Sequence, residues 1–207
     1  MESFDERTVH RLEAFSDIVI GFGLAQLGSS LAFTKNLSLD GTGIIAFFGT
    51  FAIVCSLWYF HHRVFQWFFV PKGWPIVLNF VWLAVVVLLV FSAVQFSRAG
   101  FGHRSLDELY FGLYAIAYGI LALQTLMGIQ LRSEVTPEQR ARARRNITFM
   151  TYWTLVFVVN FALVYTMPIM PALGMAINLT FLVGATGSVL IGVYFRRRLA
   201  AATKPSV

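Results

Sequence analysis

The residues most able to do chemistry lie in the first apolar segment of this 207-residue chain, where polar side chains interrupt an uncharged run. Phe22, Gln26 and Ser29 follow one another at spacings of four and three residues, so they share one face of a helix. We call this face the polar stripe. Because Gln26 and Ser29 are costly against lipid, the stripe must face protein or water. It is either a hydrogen-bonded packing surface or the wall of a pore, in which Phe22 would form an apolar constriction that gates by dewetting.

A neighbouring face of the same segment carries small side chains. Gly21, Ala25 and Ser29 recur every four residues, and Gly28 lies beside them. Small residues allow membrane helices to approach one another closely. We therefore predict Gly21, Ala25 and Gly28 as helix-packing positions.

Asp17 and a pair of histidines are the titratable groups nearest this segment. Asp17 begins the apolar run, where an acid complements the positive end of a helix, and Arg11 is six residues earlier, too far for an ideal i,i+4 pair. His61 and His62 end the second apolar segment at the same predicted membrane level, so either one is a candidate pH-sensitive contact of Asp17. Adjacent histidines do not face one another on a helix, so no metal site is predicted.

The later apolar segments carry no Asp, Glu, Lys or Arg near the bilayer midplane, where ion-coupled transporters usually place them. No nucleophile–base pair or metal cluster lies at membrane depth either, so we predict no catalytic residue and no cofactor. A passive pathway or a structural bundle is favoured. Isolated polar residues are expected to form hydrogen bonds between helices, namely Asn79, Gln95, Gln124, Asn160 and Asn178.

The composition of the chain predicts the membrane helices that carry these residues. Hydrophobic residues make up 57% of the chain and charged residues only 13%, against about a quarter in soluble domains, so the chain is a membrane protein. Six charge-free stretches are near or above the roughly 17–25 residues that cross a bilayer, and backbone pairing within lipid makes them helices. The predicted fold is all-α, one domain over 1–207, with helices at about 11–34, 41–62, 74–98, 106–131, 137–167 and 171–197.

The basic residues predict the orientation of these helices. Thirteen of the sixteen Lys and Arg residues lie in the two termini and in the second and fourth loops, which places both termini in the cytoplasm. The net charge of +6 is therefore a topology signal, with a lipid bilayer rather than nucleic acid as the partner.

Two helix starts carry capping-box sequences. One is predicted at Ser105–Glu108, and the other at Thr136–Gln139 with Pro137 in the first helical position. The fifth helix would thus begin in the cytoplasm and carry the basic stretch 140–145 to the membrane surface. That stretch is either ordinary positive-inside charge or a contact with anionic lipid headgroups.

Two sequence strings resemble the transmembrane protein 175 family of potassium channels. "RLEAFSD", from Arg11 to Asp17, is similar to the Arg-x-x-x-Phe-Ser-Asp signature that opens the family's first helix. "WYFHHRVF", from Trp58 to Phe65, resembles its Trp-x-x-His-His-Arg segment, and "LNFVWLAVVVLL" from Leu78 resembles the start of its third helix. The order of the strings and the six-helix count extend the resemblance over essentially the whole chain.

The resemblance implies a passive, potassium-permeable channel of the prokaryotic plasma (inner) membrane, a homotetramer with one six-helix unit per chain. The first helix lines the family's pore, and the family's apolar constriction falls five residues after the signature aspartate, at Phe22, with Gln26 and Ser29 as the next lining positions. The resemblance also implies a structural and gating network, called here the signature network: Arg11, Phe15, Ser16, Asp17, Trp58, His61 and His62.

The chain departs from the family at the pore. Ala25 replaces a threonine, the lining includes polar residues, and the constriction is a larger aromatic. No carbonyl-filter string of ordinary potassium channels is present, so monovalent cations would be selected by the lining side chains and the pore width. Two other hypotheses remain open: a non-conducting membrane scaffold or partner-binding protein of the same fold, and a proton-permeable carrier that uses Asp17 and His61 or His62.

Overall fold

The computed structural model describes residues 4–31, 41–99, 103–168 and 179–202, and all regular structure within them is helical. A π-helical turn (Leu179–Gly184) leads into the last helix. The helices are α1 (Phe4–Leu31), α2 (Gly41–Trp67), α3 (Trp74–Ala99), α4 (Arg104–Gln130), α5 (Pro137–Thr166) and α6 (Ala185–Ala202). The prediction of an all-α chain with six helices is confirmed.

Helix bounds differ most from the predicted ones at the start of α1 and at the ends of α2 and α6, where α6 continues to Ala202 rather than stopping at 197. The first begins at Phe4 rather than at 11, and the second continues to Trp67 rather than stopping at 62. Nothing in the sequence breaks α2 before Pro71 and Gly73, and Gly73 takes a φ of 48° that favours glycine. The predicted end of the first helix at 34 and the predicted start of the sixth at 171 lie outside the described residues.

Three helices in the described part of the chain are long and apolar enough to cross a membrane, judged by length and composition alone. They comprise Trp74–Gln95, Arg104–Gln130 and Pro137–Thr166. The chain is therefore a helical protein with membrane-spanning capacity, and the remaining three of the six crossings stay a prediction.

The two predicted helix starts have different outcomes. At α5, Gln139 N donates to Thr136 Oγ1 and Thr136 N donates to Gln139 Oε1, at 3.2 and 3.0 Å, so that capping box is confirmed. The box at Ser105 is wrong, because α4 begins at Arg104, two residues before the predicted start at 106. His103 takes the extended backbone conformation of an N-cap without a side-chain cap, and Ser105 already lies inside the first turn.

The core lies between α2, α3, α4 and α5. Helices α4 and α5 run antiparallel in close contact, and aromatic rings fill the space between them. Tyr114 and Phe157 stack with centroids 4.7 Å apart, and further along Thr125 Oγ1 lies 3.9 Å from Met150 Sδ. Helix α1 packs on α2 and α3, and α6 packs on α5. The face of α1 that meets α2 and α3 therefore determines which residues remain outside.

Polar side chains join some of these helices as predicted. Asn160 Nδ2 on α5 donates to Thr180 Oγ1 in the π-helical turn at 2.6 Å, and Asn79 bonds to two helices, as described below. Gln124 is buried, yet its amide atoms have no partner among the described residues of the single chain, so that expectation is wrong here. Gln95 has no such bond in the described residues, and Asn178 lies outside them.

One glycine marks the closest helix approach in the core. A Cβ built on Gly128 of α4 would lie 2.0 Å from the backbone oxygen of Phe68, directly after α2. Only glycine allows α4 to pass this close to the backbone at the end of α2.

Candidate functional site

The site is built where the first turns of the apolar run of α1 meet the end of α2 and the start of α3. Asp17 on α1 and Trp58 on α2 form its most direct link. Trp58 Nε1 donates a hydrogen bond of 2.7 Å to Asp17 Oδ1. Trp58 remains 40% exposed and Asp17 is also exposed, so the bond lies at the surface of the single chain. A carboxylate acceptor makes this bond stronger than one between neutral groups.

A buried chain of hydrogen bonds lies beneath that link. Ser16, His61 and Asn79, from α1, α2 and α3, are all fully buried. Asn79 Oδ1 accepts from His61 Nε2 at 2.8 Å, and Asn79 Nδ2 donates to Ser16 Oγ at 3.4 Å. Ser16 Oγ in turn donates to the carbonyl of Leu12 at 2.7 Å. Because an amide oxygen only accepts, this arrangement requires the proton on Nε2 of His61.

Aromatic packing holds the His61 ring in place. It stacks on Trp82 of α3, with centroids 4.2 Å apart and an angle of 10° between the planes. Stacking on one side and a hydrogen bond at Nε2 leave the imidazole little freedom, so His61 joins α2 rigidly to α3.

His62, the second histidine, takes a different partner. Its Nδ1 lies 2.7 Å from Glu13 Oε1 on α1, and its ring stacks against Trp58 with centroids 5.9 Å apart. Neither histidine is hydrogen-bonded to Asp17, whose partner is Trp58. Glu13 was missed by sequence reasoning, although it lies one helical turn before Asp17 and therefore on the same face of α1.

Of the two remaining members of the signature network, Phe15 packs on another helix and, within the described residues, Arg11 does not. Phe15 packs edge-to-face on Phe80 of α3, with centroids 6.2 Å apart. Arg11 is exposed, and its side chain has no partner among the described residues of this chain. The structure thus brings six of the seven residues into contact with neighbouring helices, while Arg11 is exposed and has no such contact among the described residues.

The polar stripe lies away from the buried face of α1, although Phe15, two turns before Phe22, shares its side of the helix. Ile20 and Leu27 are buried against the other helices, whereas Phe22 is 67% exposed and Gln26 and Ser29 are exposed too. Ser29 Oγ donates to the backbone carbonyl of Gln26 at 2.7 Å. In the single chain, the stripe is therefore a free surface with an aromatic end and a polar end.

The small-residue face of α1 does not pack against another described helix of the same chain. A Cβ added at Gly21 or Gly28 would meet nothing within 4 Å among the described residues, and Ala25 is exposed. Gly23 makes the close contact instead, since its Cβ would lie 3.4 Å from Val90 of α3. Within one chain, the helix-packing positions predicted at Gly21, Ala25 and Gly28 are therefore uncovered.

The chemistry available at this site is hydrogen bonding, stacking and ion pairing. In the described ranges, no group of three or more His, Cys, Asp or Glu residues is arranged to hold a metal ion. A shallow pocket of about 290 Å³ runs between α1 and α2 and is lined by Asp17, Ile20, Gly21, Leu24, Cys55 and Trp58.

Comparison with known proteins finds a family that this part of the chain is similar to. Residues 11–89 match the model of a family described as the endosomal/lysosomal potassium channel TMEM175. The matched range begins at the signature arginine and includes every residue of the hydrogen-bonded site, which confirms the family resemblance inferred from the sequence. The family is one of channels rather than enzymes. Neither curated proteins nor solved structures contain a match to the chain.

Proposed function

We propose that the chain, matched over residues 11–89 by a potassium-channel family, is one subunit of a passive, potassium-permeable cation channel in a plasma (inner) membrane. All six helices would cross the bilayer with both termini in the cytoplasm, as the basic residues predict. One observation carries the proposal: the polar stripe of α1 is exposed in the single chain, although Gln26 and Ser29 are costly against lipid.

An exposed polar stripe requires partners, and further copies of the chain supply them. The opposite face of α1 is occupied by α2 and α3, so the stripe is the face left for an assembly axis. The family resemblance implies four copies. A closed ring of four chains would turn four stripes toward one another and leave none against lipid.

In such a ring the stripe has two chemical functions. The Phe22 side chains would form an apolar constriction that excludes water until it widens. Gln26 and Ser29 lie one and two turns further along, and their side-chain oxygens could replace part of the hydration shell of a cation. Selection among monovalent cations would then depend on these oxygens and on the pore width.

The hydrogen-bonded site would position the stripe. Asp17 lies five residues before Phe22 on the same helix, and it is bonded to Trp58 of α2. Ser16 is joined to α3 through Asn79. Any movement of α1 that widens the constriction would therefore have to break or carry along these bonds, which gives the signature network a role in gating.

The two alternatives differ in what supports them. The size of Phe22 favours a plugged, non-conducting scaffold, since four aromatic side chains could fill a narrow axis. The proton-carrier alternative depends on a contact of Asp17 with a histidine, whereas Asp17 bonds to Trp58, His61 to Asn79 and His62 to Glu13.

Ion flux from liposomes that contain the purified protein tests the proposal. A potassium gradient and a matched sodium gradient are compared for the natural chain and for Phe22→Ala. We expect Phe22→Ala to raise potassium flux by about tenfold or more, equivalent to lowering the barrier by ~1.4 kcal/mol. Phe91→Ala removes an exposed phenylalanine from α3 and serves as the matched control.

Each outcome separates the hypotheses. Potassium flux above sodium flux supports the channel, and equal fluxes indicate a non-selective pore. Silence of both the natural chain and Phe22→Ala, in assemblies with the natural mass, would favour the scaffold. Flux that tracks a proton gradient and disappears in Asp17→Asn would favour the carrier.

A further inference from the structure

A groove on the outer surface of the bundle lies between the end of α4 and the start of α5, far along the chain from the site described above. Its volume is about 220 Å³. It is lined by Leu126, Ile129, Arg140, Ala143, Arg144 and Ile147. Four of these side chains are apolar and two are cationic, so the groove combines the two properties that an amphiphile requires.

The two arginines of the groove have no carboxylate partner among the described residues. Arg140 and Arg144 are four residues apart, so they project from the same face of α5, and both are exposed. Neither guanidinium is paired with a carboxylate in the part of the chain that the structure describes. Two adjacent unpaired guanidinium groups on one face favour an anionic ligand.

Arg142, which lies between these two arginines in the sequence, does have protein partners. Arg142 forms an ion pair with Glu138 at 2.5 Å, and its guanidinium lies 4.1 Å from the centre of the Trp67 ring. The nearest acid on α5 is thereby occupied. Of the four arginines in the basic stretch, Arg142 therefore ties α5 to α2, Arg140 and Arg144 line the groove, and Arg145 is partly buried outside it.

We propose that this groove binds an anionic phospholipid, with Arg140 and Arg144 on the headgroup phosphate and an acyl chain along Leu126, Ile129 and Ile147. The charge-free run of α5 begins at Asn146, directly after the arginines. The groove therefore crosses the boundary expected between the headgroup layer and the hydrocarbon. Basic pockets between membrane helices at this level suit anionic headgroups, and arginine binds phosphate oxygens in a bidentate manner.

A lipid fits the lining better than free phosphate does. Phosphate alone would satisfy the guanidinium groups but leave the apolar walls uncovered, whereas a lipid covers both. The proposal concerns a surface outside the family-matched range, and it holds whether or not the protein conducts ions.

Native mass spectrometry of the purified full-length chain tests the site. Retention of added phosphatidylglycerol is compared with retention of phosphatidylcholine. We expect the double variant Arg140→Gln/Arg144→Gln to lower phosphatidylglycerol retention by about tenfold to thirtyfold, since each arginine near an anionic surface contributes roughly a fivefold effect. Arg7→Gln/Arg196→Gln removes the same charge from exposed positions away from the groove, and it should retain the lipid.

Two further measurements identify the ligand. Leu126→Trp, at a position 43% exposed, should fold normally and reduce retention by filling the groove, which helix content by circular dichroism verifies. Excess inorganic phosphate should not displace the lipid. Equal losses in the two double variants would reduce the effect to net charge and overturn the proposal. Full displacement by phosphate, or unchanged retention in Leu126→Trp, would overturn the assignment to a lipid.

Discussion

Trp58 and Asp17 are joined by a 2.7 Å hydrogen bond although they lie 41 residues apart in the sequence. The bond connects the end of α2 to the residue of α1 that precedes the polar stripe. The position of Asp17 along and around α1 also sets the direction in which Phe22, five residues later, points. A single indole nitrogen therefore helps determine which face of α1 stays uncovered.

Replacing Trp58 by phenylalanine removes the donor and keeps most of the ring. We expect a loss of about 1 kcal/mol, at the low end for a hydrogen bond to a charged group, because both partners are partly exposed to solvent. Thermal unfolding in detergent measures the loss. Asp17→Asn keeps an acceptor oxygen and should lose less. A larger loss in Asp17→Asn than in Trp58→Phe would show that the charge, rather than this bond, stabilises the contact.

Asn79→Leu should be more harmful than its size suggests. It leaves His61 Nε2 buried without an acceptor, and an unsatisfied buried polar group costs about 1–3 kcal/mol. The double variant His61→Phe/Asn79→Leu removes both polar partners and keeps an aromatic ring against Trp82. We therefore expect the double variant to recover part of the lost thermal stability. A double variant that unfolds at or below the temperature of Asn79→Leu would contradict this account.

Gly128→Ala should destabilise the bundle through packing alone. The new Cβ would lie 2.0 Å from the carbonyl oxygen of Phe68, and a backbone atom cannot move aside as a flexible side chain can. Overpacking of this kind costs about 1–3 kcal/mol or more. The matched control is Gly192→Ala on α6, where a Cβ meets nothing within 4 Å, so better helix propensity should leave stability equal or improved. Similar melting temperatures for the two variants would show that α4 does not pass so near α2.

Local sequence patterns predicted the elements of this protein well. The charge-free runs predicted six helices, and Thr136 with Gln139 predicted the start of α5, because both signals depend on residues within one or two turns. The failures are also local in origin. Ser105 has the same capping pattern as Thr136, yet α4 begins at Arg104, since neighbouring residues compete for one N-cap position.

In the candidate site, too, the sequence identified residues but not the partners that they contact. Helical spacing placed Phe22, Gln26 and Ser29 on one face of α1, and the family signature singled out Asp17, Trp58 and the two histidines. The partners of the histidines could not be found in this manner. Their pairing with Asn79 and Glu13 depends on the register of α1, α2 and α3, which no short sequence pattern specifies.

By itself, the sequence determined the helices, their membrane character and the family resemblance of residues 11–89, because hydrophobic runs, periodicity and short motifs are properties of neighbouring residues. The tertiary structure decided which face of α1 is covered, which carboxylate His62 approaches, and that Gly23 rather than Gly21 is the close contact inside the chain. These choices join residues far apart in the sequence, Gly23 and Val90 being 67 positions apart. They follow from the packing of side chains between helices, which no local pattern specifies.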